Sequence, residues 1–240
     1  MKSFKKLPSW EYILILILRT VGNFLILTSV FFIAKTFYQP IAEEVKYYVE
    51  NRAQKKYVVA SPEEAPVIRR EFSGQAPKGA LAKALQIKPV EVIVPNDPEY
   101  SIVIPKIAAN AKVISGVDAS NEDEYLASLQ QGVAHADGTA FPGEGGHIFM
   151  FAHSTDYIWN VGTYNAVFYL LYKLEVGDEV NLFYKGQRFV YIVTATQIVD
   201  PTEVDYLTRK TQNEFLTLQT CWPPGTTFKR LLVFAEPKVF

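Results

Sequence analysis

The sequence predicts a mostly-β domain held behind a single N-terminal membrane anchor. Three observations carry that expectation. From residue 100 onward, short apolar runs recur with Gly, Pro, Asn and Asp turn signals between them, the pattern of a β-barrel or sandwich. Residues 10–34, WEYILILILRTVGNFLILTSVFFIA, form one strongly apolar run. Between the two lies a polar stretch broken by Pro62, Pro66, Pro77 and Pro89, which reads as a linker.

Composition narrows the function classes. The chain has 240 residues, 49% apolar and 20% charged, which excludes a disordered chain. A domain of about 140–150 residues buries roughly two thirds of its unfolded surface, enough core without disulfides. One cysteine permits no internal disulfide. Net charge is −1 and no Lys/Arg cluster alternates with aromatics, so no nucleic-acid partner is expected.

Residues 1–11 read as a cytoplasmic tail and residues 12–38 as the transmembrane anchor. The apolar run exceeds the core of a cleavable signal peptide, about 7–15 residues, and no small-x-small cleavage site follows it. Lys2, Lys5 and Lys6 precede it, whereas Lys35 and Lys46 are offset by Glu43 and Glu44. The positive-inside rule then keeps the N-terminus cytoplasmic and the remainder extracytoplasmic, in a single pass. Trp10, Tyr12, Phe37 and Tyr38 suit interfacial anchors. Arg19 and Asn23 interrupt the run. An arginine at mid-span costs about 2.5–3.5 kcal/mol, so Arg19 is expected to snorkel to the headgroups. That leaves a span over residues 20–38 of about 28 Å. A functional arginine paired with a partner helix is the alternative.

Residues 39–98 are a stalk helix and linker. Residues 40–57 read as a polar helix with Ile41, Val45, Tyr48 and Val49 on one side. A short helix is expected over residues 78–85. Asp97-Pro98-Glu99-Tyr100 reads as a turn into the domain at residues 99–240. There the elements follow in order: strands at residues 102–107 and 112–115 around an Ala109-Asn110 turn, then a helix at 122–130 capped by Ser120 or Asn121. A strand at 132–136, a Gly/Pro loop and a strand at 147–153 come next. Val167, Leu170, Leu171 and Leu174 give helical spacing over 165–174. Strands at 179–184 and 188–199 flank a Lys185-Gly186 turn, and the connection 200–210 leads to the last two strands. There is no internal repeat.

Those last strands, at residues 215–220 and 230–234, are joined across Pro223-Pro224-Gly225, which no strand continues through. Cys221 stands at the end of the first and Arg230 at the start of the second. A thiol attacks a carbonyl as thiolate, and with an unperturbed pKa near ~8.5 it needs a nearby base or positive charge. The chain holds three histidines. His147 and His153 share one strand face about 20 Å apart, so both cannot reach Cys221. His135 sits early in a loop-flanked strand. Residues alone leave the choice among them open. No C-x-x-C pair or H-E-x-x-H run marks a metal site, so none is expected.

Thr217-Leu218-Gln219-Thr220-Cys221 followed by Arg230 resembles the TLxTC and Arg signature of the sortases. Ile104-Pro105-Lys106-Ile107, Gly132-Val133-Ala134-His135, Pro142-Gly143-Glu144-Gly145 and Ala152-His153-Ser154 follow in the family's order. The resemblance covers roughly residues 100–234. It implies a closed eight-stranded β-barrel with short helices behind the transmembrane helix. It implies Cys221 as nucleophile, His153 as general acid/base, Arg230 as oxyanion stabiliser and Thr220 in substrate binding, with no cofactor. His135 then matches a non-catalytic family position, and His147 stands where many relatives have Asn. The implied reaction cleaves an LPxTG-like sorting signal of a secreted protein through a thioacyl-enzyme. It transfers the acyl group to an amine of a cell-wall precursor or a pilin. Asp97-Pro98-Glu99-Tyr100 faintly resembles the lid motif of pilin-building sortases. Ala152 replaces a common Gly, Ser154 a common Arg, and Trp222-Pro223-Pro224 is unusual, which bears on substrate preference. The competing expectation is a non-catalytic, membrane-anchored β-barrel that binds peptides.

Overall fold

The computed structural model describes residues 9–53, 55–75, 90–154 and 167–239. The chain divides into two units, Met1–Glu43 and Glu44–Phe240. The first is helical, within α1 (Ser9–Arg52), which carries Pro40 in its interior. Its large apolar side chains, among them Leu18, Phe24, Leu27 and Phe31, are exposed. The Thr20 and Thr28 hydroxyls donate to the Leu16 and Phe24 carbonyls at 2.9 and 2.8 Å, which satisfies them inside the helix. The helix is long and apolar enough to be a membrane span.

The second unit contains a closed eight-stranded barrel, as the family resemblance implies. Its strands are β3 (Tyr100–Ile104), β4 (Ala109–Val117), β5 (Val133–Ala136), β6 (His147–Phe151), β7 (Glu179–Tyr184), β8 (Gln187–Val199), β9 (Phe215–Trp222) and β10 (Lys229–Pro237). The order around the barrel is β10-β8-β7-β3-β4-β5-β6-β9, closed by β9 against β10. Neighbours are antiparallel except β4–β5 and β6–β9, which are parallel. Side chains alternate across each strand, so Ile102, Ile104, Ile148, Met150, Leu216, Leu218, Leu231 and Val233 fill the interior. The β7–β8 hairpin turns on Lys185 and Gly186, both at positive φ (51° and 76°), the two-residue turn whose twist matches the strands.

Several elements differ from expectation. The first strand stops at Ile104, because Pro105–Ile107 forms a 3-10 turn and Ala108 adopts a left-handed φ of 51°. That reversal lets Ala109 and Asn110 pair with Ile104 and Val103 rather than form a turn. The expected helix over 165–174 is, among the described residues, a turn and a 3-10 helix at Leu171–Lys173, because Leu174 is already extended. The apolar spacing there buries Phe168, Leu170, Leu171 and Leu174 beneath the barrel without a full helix. The helix α3 (Glu122–Leu129) forms as expected, capped by the Asn121 side chain. The stretch read as a linker holds structure at both ends. The strands β1 (Lys56–Val59) and β2 (Val90–Ile93) pair in parallel, with helix α2 (Ala65–Gln75) between them. Val59 and Ile93 pack on Val103 and Phe183, on the outer side of β3 and β7. The helix expected over residues 78–85 lies outside the described residues. The Asp97 carboxylate accepts from the Glu99 N–H at 2.9 Å and pairs with Lys112 at 3.0 Å, which makes that segment an ordered turn.

Two histidines belong to this scaffold. The Thr139 hydroxyl donates to the Ala136 carbonyl at 2.8 Å, so His135 Nε2–H donates to Thr139 and Nδ1 accepts from the Tyr100 hydroxyl, each at 2.8 Å. His147 Nε2 bonds the Thr217 hydroxyl at 2.8 Å. Burial holds both imidazoles down to about 4. Below the ordinary value near 6.5 the unfolded chain takes up protons that the folded chain refuses. Stability is therefore full above about pH 6.5 and falls as pH drops toward about 4, by roughly 3 kcal/mol per histidine. Urea midpoints of the detergent-solubilised chain should fall over that interval. The decline should be shallower in a His135→Gln/His147→Gln double variant than in the parent. Parallel declines would contradict the assignment.

Candidate active site

Three strands bring the expected residues together. β9 and β10 pair so that Arg230 lies directly opposite Cys221. The parallel β6–β9 register runs from His147 opposite Phe215 to Phe151 opposite Gln219. It continues one step beyond, where the Ala152 N–H donates to the Gln219 carbonyl at 3.1 Å. His153 therefore follows β6 at the level of Cys221, one residue before the end of β9. The Thr220 hydroxyl, 3% exposed, donates to the Ala152 carbonyl at 2.9 Å. Thr220 thus ties the cysteine strand to the residue before His153. The Phe168 N–H donates to the His153 carbonyl at 3.3 Å, which fixes the backbone just past the strand.

Face follows from register. Leu216, Leu218 and Thr220 point inward, so Thr217, Gln219 and Cys221 point outward. Their cross-strand partners, Phe149 and Phe151 on β6 and Arg230, Leu232 and Phe234 on β10, share that outer face. The connection 200–214 lies over it. Tyr206 packs against Phe149 with the rings tilted and their centroids 5.8 Å apart, and the Arg209 guanidinium sits over Phe215 and Phe234 at 5.5 and 5.7 Å. Lys229 pairs with Asp200 at 2.5 Å and pins the start of that connection beside Arg230. His147, opposite Phe215, lies at the other end of the strand from Cys221.

Burial pushes the Cys221 thiol above its ordinary value, and the Arg230 guanidinium pulls it partly back. Among the described residues, Arg230 makes its hydrogen bonds to backbone carbonyls, through Nη1 to Thr227 and Lys229 at 3.1 and 3.2 Å. No carboxylate among the described residues takes up its charge. Tyr206 is near both groups: its phenol is raised first by burial, then lowered by Arg230 and raised by Glu203 and, last, by Cys221.

The residue sequence did not reveal Tyr206, whose only signal is an aromatic ring inside a charged connection. Nor did it reveal the neighbours of Trp222. The Trp222 ring packs on Tyr172 at 5.3 Å. A cleft of about 600 Å³ elsewhere in this unit is lined by Tyr47, Lys55, Lys106, Asp178 and Arg188 and contains none of Cys221, His153 or Arg230. Among the described residues, no cluster of His, Cys, Asp and Glu has the arrangement of a metal site.

The Sortase domain family model matches residues 102–238. The chain belongs to the sortase family. Sortases are, as a family, transpeptidases. Sortase D of Bacillus subtilis (strain 168) is 29% identical over 136 residues, covering 55% of this chain and 60% of that protein. The matched stretch thus spans somewhat over half of that curated relative. Among solved structures, sortase C-1 from Actinomyces oris is 32% identical with a TM-score of 0.49, covering 60% of this chain and 76% of that one. Clostridium perfringens sortase C, solved with a C-terminal cell wall sorting motif, is 27% identical with a TM-score of 0.47, covering 58% and 70%.

The electrostatics of this sortase give a direct test. Arg230 is the charge that lowers the Cys221 thiol. Arg230→Ala should therefore move the inflection of the pH–rate profile for iodoacetamide alkylation of Cys221 upward, with the helix and sheet spectrum unchanged. An inflection that stays put or moves down would exclude the coupling.

Proposed function

We propose that this sortase is a membrane-anchored cysteine transpeptidase that cleaves an LPxTG-like sorting signal and passes the acyl group to an amine. The observation that supports this most is the direct cross-strand pairing of Cys221 with Arg230, at the level where His153 leaves β6. Family membership supports the reaction class.

In this reading Cys221 Sγ attacks the threonine carbonyl of the signal. The raised thiol means that the resting nucleophile is protonated, so its proton passes to His153 as the S–C bond forms. The Arg230 guanidinium, always charged and with Nε and Nη2 hydrogens in addition to the bonded Nη1, stabilises the tetrahedral oxyanion. The C–N bond then breaks, His153 protonates the departing amine, and a thioacyl-enzyme remains. An incoming amine attacks it, His153 accepts the proton, and the new amide leaves with the thiol restored. Thr220 contributes by holding the cysteine and histidine strands in register, and in that way shapes the substrate groove. The amine comes from a cell-wall precursor or from a pilin lysine. The N-terminal helix anchors the enzyme in the cell membrane with residues 1–11 cytoplasmic and the catalytic domain outside, following the charge asymmetry around the span. No cofactor takes part in this scheme.

The full chain in detergent, given a library of LPxTG-like peptides and an amine, should yield a thioester on Cys221 and an amidated product by mass spectrometry. Cys221→Ala should abolish both with the fold intact, and transfer retained by that variant would sink the mechanism. Arg230→Lys keeps the charge but loses the planar fork, and should lower kcat about 10²-fold or more, the magnitude of a lost oxyanion donor. Turnover close to the parent would remove Arg230 from the oxyanion role.

A further inference from the structure

We propose that the helix segment beginning at Glu44 is a positioning element of the acyl-transfer site. It acts through Tyr172 and Trp222 on the strand end that carries Cys221. The proposal rests on the reading of Cys221 as the nucleophile.

The contacts form an unbroken chain inside the second unit. Trp222 follows Cys221 on β9, so its side chain leaves the strand on the opposite face. There it packs against the edge of the barrel core and on the Tyr172 ring at 5.3 Å. Tyr172 belongs to the 3-10 turn Leu171–Lys173, whose Leu171 is fully buried and fixes the turn to the barrel. The Tyr172 hydroxyl donates to the Glu44 carboxylate. Lys173 Nζ lies 3.3 Å from that carboxylate, 4.6 Å from the centre of the Tyr172 ring and 5.3 Å from that of Tyr47. Glu44 and Tyr47 are one helical turn apart and present one face. Burial and the Glu44 hydrogen bond raise the Tyr172 phenol, which keeps it a neutral donor.

The geometry explains why this matters for the thiol. Beyond Cys221 the ladder has one more pairing, Trp222 with Lys229, before the Pro223-Pro224 break. Cys221 projects from the other side of the same backbone into the outer groove. The Trp222 ring is therefore the last side-chain anchor on the strand that holds the nucleophile. Acyl transfer is sensitive to such placement, since a shift of about 1 Å in reacting atoms can cost about 10²-fold in rate. A stalk helix that only tethered the barrel would need none of these contacts. Here a carboxylate, a phenol and an indole connect it to the residue beside the thiol.

The test uses the full chain in detergent micelles, with two readouts. One is the pH–rate profile of Cys221 alkylation by iodoacetamide, which needs no sorting signal. The other is kcat and KM for transfer from an LPxTG-like peptide to an amine. Glu44→Ala, Tyr172→Phe and Trp222→Ala should each lower kcat, the last by about tenfold, with KM held within about twofold, and each should displace the alkylation profile. Glu44→Gln, which keeps an acceptor for Tyr172, and Trp222→Phe, which keeps a ring on it, should restore most of the rate. Melting temperatures separate positioning from unfolding, and Tyr172→Phe retains the ring packing should Trp222→Ala fail to fold. Parent-like alkylation profiles in Glu44→Ala and Tyr172→Phe would overturn the proposal. A parent whose Cys221 alkylates but transfers nothing would refute the transpeptidase reading, and the alkylation profiles would still decide the role of the helix.

Discussion

The parallel pairing of β6 with β9 is the constraint on which the rest of the site depends. Hydrogen bonds in a parallel ladder fix which residue ends opposite which, and a slip of one residue would turn every side chain to the other face. Here the ladder runs from His147 to Phe151 and is extended by the Ala152 N–H and the buried Thr220 hydroxyl. His153, just past β6, consequently stands at the level of Cys221 near the end of β9. The antiparallel partner β10 then brings Arg230 across from the thiol. Residues from distant parts of the sequence come to one level of the barrel because two ladders share β9.

Much of this was legible in the residues. Alternating apolar runs gave the strands, Lys185-Gly186 gave a hairpin turn with both residues at positive φ, and the short Pro-Pro-Gly break made the last two strands neighbours. That Arg230 pairs with Cys221 itself, and not a neighbour, depends on a register that no local pattern encodes. The β6–β9 pairing was less legible still, because the partners are separated by a turn, a hairpin and a long connection. The choice of His153 rests on family resemblance; the residues alone leave the choice among three histidines open. The structure accounts for the other two, since His135 and His147 are enclosed and hydrogen-bonded within the scaffold.

The misreadings have a common cause. β1 has four residues, too few for alternation to register, and its partner β2 follows a stretch whose prolines read as linker. The spacing of Val167, Leu170, Leu171 and Leu174 does mark a buried face, but a 3-10 turn buries it as well as a helix would. In the second place the sequence marks burial correctly in kind and wrongly in form; in the first it marks no burial at all. The cluster of Glu44, Tyr172 and Trp222 carried no signal because each member is an ordinary residue in its own segment.

The long separation across β6–β9 also bears on how the protein assembles. Thr220 and Ala152, whose bond seals the ladder, are 68 positions apart, and His147 and Thr217 are 70 apart. Closing so long a loop is paid for in chain entropy before any contact rewards it, and non-local parallel pairing is slow for that reason. During synthesis the cysteine strand emerges after every other barrel strand but one. Cys221 therefore comes level with His153 only when β9 pairs with β6. Any partly folded chain in which β9 is still unpaired lacks this arrangement, so the order of strands makes the site one of the last parts of the barrel to form.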